Sequence, residues 1–148
     1  MMIIGLQGRP ESPNVGDLIE FSRVIYSHWA VYVGDGYVIH LTKNKNKPNK
    51  GEVKRDRLLY VAGCFRYKVN NILDYKYERK EIELILQDAN SALGKNVTYN
   101  LVTHNCEHFA TNLRYGKPES LQVKKVLYSA LAIGSVTLLL IYLKIFIF

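Results

Sequence analysis

The sequence predicts a small α+β domain with an antiparallel sheet packed on helices. A run rich in β-branched and aromatic residues, "HWAVYVGDGYVIHL" (28–41), is interrupted by Gly34-Asp35-Gly36, which is a hairpin signal. Apolar residues at helical spacing follow in two segments, the first over residues 78–94 and the second beginning at Asn105. A hairpin early in the chain and helices later are typical of an α+β domain.

The composition is that of a folded chain with excess positive charge. The 148 residues suffice for one domain, and 48% of them are apolar, too many for a disordered chain. The net charge of +7 suits an acidic partner, but nucleic acid is disfavoured because the cations concentrate in one loop without interleaved aromatic residues. Two cysteines and no signal-peptide pattern indicate a chain made in the cytosol with reduced thiols.

The hairpin register decides whether two histidines at its ends, His28 and His40, share a face of the sheet. A two-residue turn puts them on opposite faces, whereas a three-residue turn puts them on the same face. A site that uses both histidines therefore predicts an odd-length turn or a bulge. Further strands are predicted over residues 15–21, near 52–59 and over 65–69.

Two helices are predicted after the strands. In the first, Gly94 suits the position just past the end. The second begins next to Asn105, a good N-cap residue, and ends at Gly116 and Pro118. Cys106 therefore falls in the first turn of this second helix.

The C-terminus predicts a membrane anchor. No charged residue occurs from Val126 to Leu143, and roughly 20 apolar residues in a helix cross a bilayer. Lys124 and Lys125 precede the run, so the positive-inside rule keeps the N-terminal part in the cytosol. We therefore expect a domain over residues 1–122 and a single-pass C-terminal transmembrane helix within residues 123–148. A buried core helix is the alternative, although such helices are rarely apolar all round.

Cys106 is the candidate nucleophile. A helix N-terminus favours the thiolate through its macrodipole and unpaired amides, and the same amides could stabilise an oxyanion. Acyl transfer by cysteine also needs a base and a group that orients it, for which His28 and His40 are the candidates.

Other interpretations of these residues stay open. Histidines in strands are often packing residues. His104, Cys106 and His108 could suggest zinc from their spacing, but no fourth ligand is evident, so we expect no metal site. The second cysteine, Cys64, is expected to be a small buried hydrophobe.

Five motifs resemble the H-Ras-like suppressor family, the phospholipase A and acyltransferase relatives of lecithin retinol acyltransferase. They are "GDLIEF", "HWAVYVGDGYVIHL", "YKVNN", "NCEHF" and "LRYG", and the resemblance runs from about Val15 to the C-terminus. It implies a permuted NlpC/papain-like domain in which the histidines precede the cysteine. It further implies that Cys106 is the nucleophile, His28 the general base and His40 the group that orients it.

The resemblance also implies the reaction, a calcium-independent phospholipase A1/A2 and acyltransferase activity without a cofactor. A thioester on Cys106 would pass its acyl group to water, phosphatidylethanolamine or a lysophospholipid, with glycerophospholipids such as phosphatidylcholine as donors. Asn105, Tyr26 and Arg23 match positions near the family's site, and the Tyr26 hydroxyl could help the oxyanion.

A basic loop (42–57) is the expected contact with the membrane. Its lysines could hold anionic headgroups, or the loop could simply be solvated. The basic residues singled out are Lys43, Lys45, Lys47, Lys50, Lys54 and Arg55. Three other functions are retained: a non-enzymatic membrane adaptor of the same fold, a retinol acyltransferase and a cysteine peptidase.

Overall fold

The structure is a computed structural model that describes residues 12–133 and 136–147. Within them lie β1 (Leu18–Ser22), β2 (Ser27–Gly34), β3 (Tyr37–Lys43), β4 (Lys50–Arg57), α1 (Leu58–Ala62), β5 (Tyr67–Val69), α2 (Ile82–Ala92), β6 (Asn96–Thr98), α3 (Cys106–Tyr115), α4 (Leu121–Ile133) and α5 (Val136–Ile147). The strands form one antiparallel sheet in the order β5-β1-β2-β3-β4-β6. The predicted α+β class with an antiparallel sheet is therefore confirmed.

The central strands of the sheet are buried on both faces because their apolar residues point both ways. Trp29 and Val31 of β2 belong to the core that also contains residues of α2 and α3. Ala30, between them, belongs to a second core on the opposite face, which includes Leu58 and Ala62 of α1. The sheet is thus the middle layer of the domain.

The hairpin β2–β3 contains a bulge, which is what His28 and His40 need in order to lie on the same face of the sheet. At the tip, Asp35 and Gly36 both have positive φ, and Gly34 pairs with Tyr37, as in a two-residue turn. Further along, Tyr32 pairs with Val38, so the register shifts by one residue between Tyr32 and Gly34. The predicted bulge is confirmed.

The start and end of α3 also agree with the sequence. The Asn105 side chain accepts hydrogen bonds from the amides of Glu107 and His108, at 2.9 and 3.0 Å. Gly116 adopts the left-handed conformation just past the end. Near that end, Arg114 makes a bidentate pair with Asp74, which fixes the helix to the loop after β5.

Three local expectations were wrong. Residues 58–62 form α1 rather than the end of a strand, because a helix buries Leu58 and Ala62 on one side. The helix predicted over residues 78–94 begins only at Ile82. Cys64, predicted to be buried, is exposed just after α1.

The predicted C-terminal transmembrane helix, and the single-pass anchor that rests on it, are wrong. The apolar run is divided between α4 and α5, of 13 and 12 residues. Each spans about 20 Å, well short of a bilayer core of about 30 Å. Among the residues described, no helix has the length and apolar character needed to cross a membrane. Instead α5 packs on α4, and Val126 and Leu139 line the same small apolar cavity.

Candidate active site

The bulge brings His28 and His40 together. His28 Nε2 lies 2.7 Å from His40 Nδ1, and the two rings are nearly perpendicular, with centroids 5.0 Å apart. His28 is the second residue of β2 and is half-buried, whereas His40 in β3 is 4% exposed. Two of the three residues predicted to carry the chemistry therefore form a hydrogen-bonded pair.

A carboxylate that the sequence analysis missed completes this arrangement. His40 Nε2 lies 2.8 Å from Asp56 Oδ2 in β4. A carboxylate only accepts hydrogen bonds, so the Nε2 of His40 carries the proton and its Nδ1 is the acceptor. His28 Nε2–H then donates to His40, which leaves the Nδ1 of His28 with a lone pair for an incoming proton.

Both histidines are held in the neutral form. Burial lowers the pKa of His28 to about 3, and repulsion from a positive charge on His40 or on Arg23 lowers this pKa further. Burial also lowers the pKa of His40, outweighing the opposite effect of Asp56, and Lys54 and Arg23 act in the same direction as burial. A neutral imidazole is the form that can act as a base.

Cys106 is placed beside the first residues of β2. Its thiol lies close enough to the backbone amide of Trp29 for that amide to favour the thiolate. Towards the start of β2, the last residue paired with β3 is Val31, opposite Ile39. Trp29 lies before it and is not paired with β3. The candidate nucleophile, Cys106, is thus next to the residue that follows His28 in the chain.

Burial dominates the electrostatics of this thiol. Cys106 is 5% exposed, and burial raises its pKa to about 12 despite the amides of Trp29, Glu107 and Cys106. The cysteine belongs to the core on the α2–α3 face, while His28 and His40 line an open cleft of about 730 Å³ whose described lining does not include it. The resting state pairs a neutral thiol with neutral histidines.

The three residues expected near the site from the resemblance, Arg23, Tyr26 and Asn105, lie in two different places. Arg23 and Tyr26 line the same cleft as the histidines, and Arg23 is held by a 2.7 Å hydrogen bond from Nη2 to the Val61 carbonyl. Asn105 acts instead through the fold, because its Oδ1 caps α3 and its Nδ2 donates to the Leu101 carbonyl at 2.9 Å.

Only some residues of the basic loop line the cleft that contains His28 and His40. Lys43 and Lys45 line the cleft, as does Lys54, which belongs to the same predicted basic segment and lies in β4. Lys47 and Lys50 are exposed on the same segment but do not line it.

The histidines around Cys106 have structural roles. His108 Nδ1 accepts a hydrogen bond from the Asn105 amide at 3.3 Å, which completes a capping box at the start of α3. Within residues 12–133 and 136–147, no group of three or more histidine, cysteine or acidic side chains is arranged to hold a metal ion.

Glu107 is a second residue that the sequence analysis missed. It follows Cys106, is fully buried, and accepts hydrogen bonds from the Ser120 hydroxyl at 2.6 Å and the Leu121 amide at 2.9 Å. The Gln122 side chain also donates to it, at 2.9 Å, and further contacts the backbone of Ser27. The start of α4 is thereby tied to both the cysteine helix and the beginning of β2.

An antiparallel sheet with a histidine pair at its centre and a cysteine at an adjoining helix N-terminus is an α+β arrangement with a candidate thiol–imidazole site. A family model described as lecithin retinol acyltransferase matches residues 11–119. The chain belongs to this family, within its phospholipase A and acyltransferase (H-Ras-like suppressor) group.

Several relatives in that group cover most of the chain. Human phospholipase A and acyltransferase 4 is 45% identical over 127 residues, which are 78% of this chain and 77% of that protein. Human phospholipase A and acyltransferase 3 is 42% identical over 134 residues, 82% and 83% of the two chains. Phospholipase A and acyltransferase 1 of Rattus norvegicus is 39% identical and covers 94% of this chain and 86% of its own.

Proposed function

We propose that this protein is a calcium-independent phospholipase A1/A2 and acyltransferase that works through a thioester on Cys106. The observation that carries the proposal is the 2.7 Å contact between His28 and His40, in a chain that keeps the Cys106 thiol beside the neighbouring Trp29 amide. The names of the relatives support the phospholipase A and acyltransferase activity in this proposal.

In the first half of the reaction, Cys106 Sγ attacks the carbonyl carbon of a glycerophospholipid ester. His28 Nδ1 takes the thiol proton as the carbon–sulfur bond forms. The bond between that carbon and the ester oxygen then breaks, and His28 returns the proton to the departing oxygen. The products are lysophospholipid and a thioester on Cys106.

In the second half, an acceptor replaces the sulfur. Water or the amine of phosphatidylethanolamine attacks the thioester carbonyl, and His28 removes the acceptor's proton. The carbon–sulfur bond breaks and the proton returns to Sγ, which restores the thiol. Water gives a free fatty acid, the amine gives an N-acyl lipid, and the hydroxyl of a lysophospholipid gives a transferred ester.

His40 and Asp56 act through His28. A proton accepted at His28 Nδ1 makes an imidazolium whose Nε2–H already faces the acceptor nitrogen of His40. Asp56 keeps that nitrogen unprotonated by accepting from the other side of the His40 ring. Both are positioning residues for the base.

The oxyanion is assigned to the Cys106 amide and the Tyr26 hydroxyl. The amides of Glu107 and His108 already donate to Asn105, so the first amide of α3 is the one to face the oxyanion. Tyr26 lines the cleft beside His28, and Arg23 adds a cation there. Lys43 and Lys45 lie where a phosphate headgroup in the cleft would meet them, and Lys47 and Lys50 extend the positive charge outwards.

The test is lipid turnover by the full chain. Mixed micelles of phosphatidylcholine, with and without phosphatidylethanolamine, are incubated with protein and a calcium chelator, and the products are identified by mass spectrometry. Fatty acid, lysophospholipid and N-acyl lipid should form in wild type and disappear in Cys106→Ala and His28→Asn. Trapping the acyl group on Cys106 by acid quenching and peptide mass would identify the thioester.

Two matched variants control for nonspecific effects. Cys64→Ala removes the exposed cysteine, and His104→Asn removes a histidine outside the pair. Both should retain turnover. Loss of activity in Cys64→Ala, or turnover that persists in Cys106→Ala, would refute the assignment, and a folded wild type without turnover would favour the adaptor interpretation.

A further inference from the structure

The turn between β1 and β2 carries two exposed apolar residues at its tip. Ser22 pairs with Ser27, and the Arg23 amide donates to the Tyr26 carbonyl at 2.9 Å, so Val24 and Ile25 form the tip. They are 86% and 52% exposed. Glycine, asparagine or aspartate is usual in tight hairpin turns, so turn geometry does not explain two β-branched residues there. Ile25 borders a cavity that Val126 of α4 also lines, whereas Val24 does not line it.

More exposed apolar side chains lie close to this tip. Phe65 is 42% exposed, and its ring lies under the guanidinium of Arg23, with 5.1 Å from Cζ to the centroid. The same guanidinium donates to the Val61 carbonyl of α1, which links the tip to that helix. Leu59 and Tyr60 of α1 are 72% and 78% exposed. We call Val24, Ile25, Leu59, Tyr60 and Phe65 the apolar rim.

The apolar rim reaches the histidine cleft through Tyr60, and several cations line the same cleft. Tyr60 lines the cleft together with Arg23 and His28. Three lysines, Lys43, Lys45 and Lys54, line the same cleft. Exposed apolar side chains beside several cations suit a surface that is negatively charged outside and apolar just beneath.

We propose that this face docks on an anionic phospholipid bilayer, with Val24 and Ile25 inserted below the headgroups and Arg23 and the cleft lysines against the phosphates. The inference rests on the proposed function, since it explains how a lipid held in a membrane would meet the cleft. The net charge of +7 supports an anionic bilayer as the occupant.

The first experiment measures binding and chemistry separately in the full chain. Partition onto vesicles of phosphatidylcholine with about 30% phosphatidylserine is compared for wild type, Val24→Ser/Ile25→Ser and Leu84→Ser. Leu84 is a matched control because it is a half-exposed leucine on α2, away from the cleft lining. Hydrolysis of a dispersed, water-soluble short-chain ester reports the chemistry without a bilayer.

The double variant should partition about 10-fold or more weakly, since two apolar side chains no longer enter the bilayer. Leu84→Ser should bind as wild type does, and both variants should hydrolyse the soluble ester at the wild-type rate. Binding by wild type should weaken in about 0.5 M NaCl, where charges are screened over a few ångströms. Equal partition of wild type and double variant would overturn the proposal.

A second measurement locates the inserted residue, whatever other part of the chain touches lipid. Emission from an Ile25→Trp variant should shift to the blue on vesicles and be quenched by lipids brominated on their acyl chains, while a Leu84→Trp variant should not respond. No response at position 25 would also overturn the proposal. Vesicle binding that depends on residues 24 and 25 in a protein that hydrolyses no ester would refute the proposed function and leave the docking surface intact.

Discussion

His40 Nε2 lies 2.8 Å from Asp56 Oδ2, while the other nitrogen of the same ring lies 2.7 Å from His28 Nε2. Because Asp56 accepts a hydrogen bond from the proton on His40 Nε2, His40 Nδ1 has to accept the hydrogen bond from His28. Asp56 thereby determines which nitrogen of His28 is left without a proton.

Asp56→Asn should lower kcat by about 10- to 100-fold with little change in KM. The asparagine amide can donate to His40 Nε2, which would place the His40 proton on Nδ1 and oppose the bond from His28. Steady-state kinetics on mixed micelles test this expectation. Glu52→Gln is the control, because Glu52 lies on the same strand and lines the same cleft but pairs with Lys54. An Asp56→Asn variant with wild-type kcat would contradict the role.

The pH dependence of kcat/KM should be nearly level between about pH 5 and 8. The pKa of His28 is lowered to about 3 and that of the Cys106 thiol is raised to about 12, so neither titrates in this range. The charged groups that act on the two histidines are Arg23, Lys54 and Asp56. An acid limb near pH 6.5, in protein shown by circular dichroism to be folded, would contradict the neutral resting state.

The two cysteines should differ sharply in reactivity towards iodoacetamide. Cys64 is exposed, whereas Cys106 is buried and its pKa is raised to about 12, which leaves little thiolate at neutral pH. Peptide mass spectrometry after short labelling at neutral pH should find the label on Cys64. A Cys64→Ala variant should become labelled on Cys106 only after addition of urea. Rapid labelling of Cys106 in the folded protein would show that its thiol is activated at rest.

Glu107→Gln should reduce the free energy of unfolding by about 2–3 kcal/mol. The buried carboxyl group accepts from Ser120, Leu121 and Gln122, and an amide nitrogen in place of one oxygen would face donors. Urea denaturation followed by circular dichroism measures the change. Glu83→Gln, on the exposed side of α2, should change stability by less than about 0.5 kcal/mol. Equal effects of the two variants would contradict the role of Glu107.

Stability should fall as the pH drops below about 6.5. The folded pKa values of His28, His40 and His108 all lie below the ordinary value, so the unfolded chain binds protons first. Their contribution is complete above the unfolded pKa and is lost as the pH falls, by up to about 1.4 kcal/mol per pH unit for each histidine. Urea midpoints across this pH range test the slope, and His28→Asn should flatten it. A midpoint that does not change with pH would contradict the lowered pKa values of these three histidines.

The parts of the fold that the sequence predicted are those encoded by neighbouring residues. Gly34-Asp35-Gly36 specifies a turn, and Asn105 with Gly116 marks the two ends of α3. The bulge could be stated only as a condition for histidines that share a face, because local signals allowed both registers.

The parts that the sequence missed depend on pairing between distant segments. Asp56 reaches His40 because β4 pairs with β3 in a register that nothing local to either strand specifies. The apolar C-terminal run had the length of a membrane span, yet α4 and α5 each cover only part of it, and residues of both helices line a cavity with Leu101 and Val102. The permuted NlpC/papain-like relationship and the division of the chain at residue 122 stay predictions.

Because of the single extra residue in the β2–β3 hairpin, the His28–His40 contact depends on whether the number of residues between the two histidines is odd or even. Deleting Val33 would remove no group from the cleft, yet it would rotate every residue from Ser27 to Tyr32 to the other side of the sheet relative to β3. The histidines tolerate insertions and deletions in this hairpin only in pairs. The twelve-residue separation of the two histidines therefore has to stay even for them to share a face, whichever side chains fill the turn.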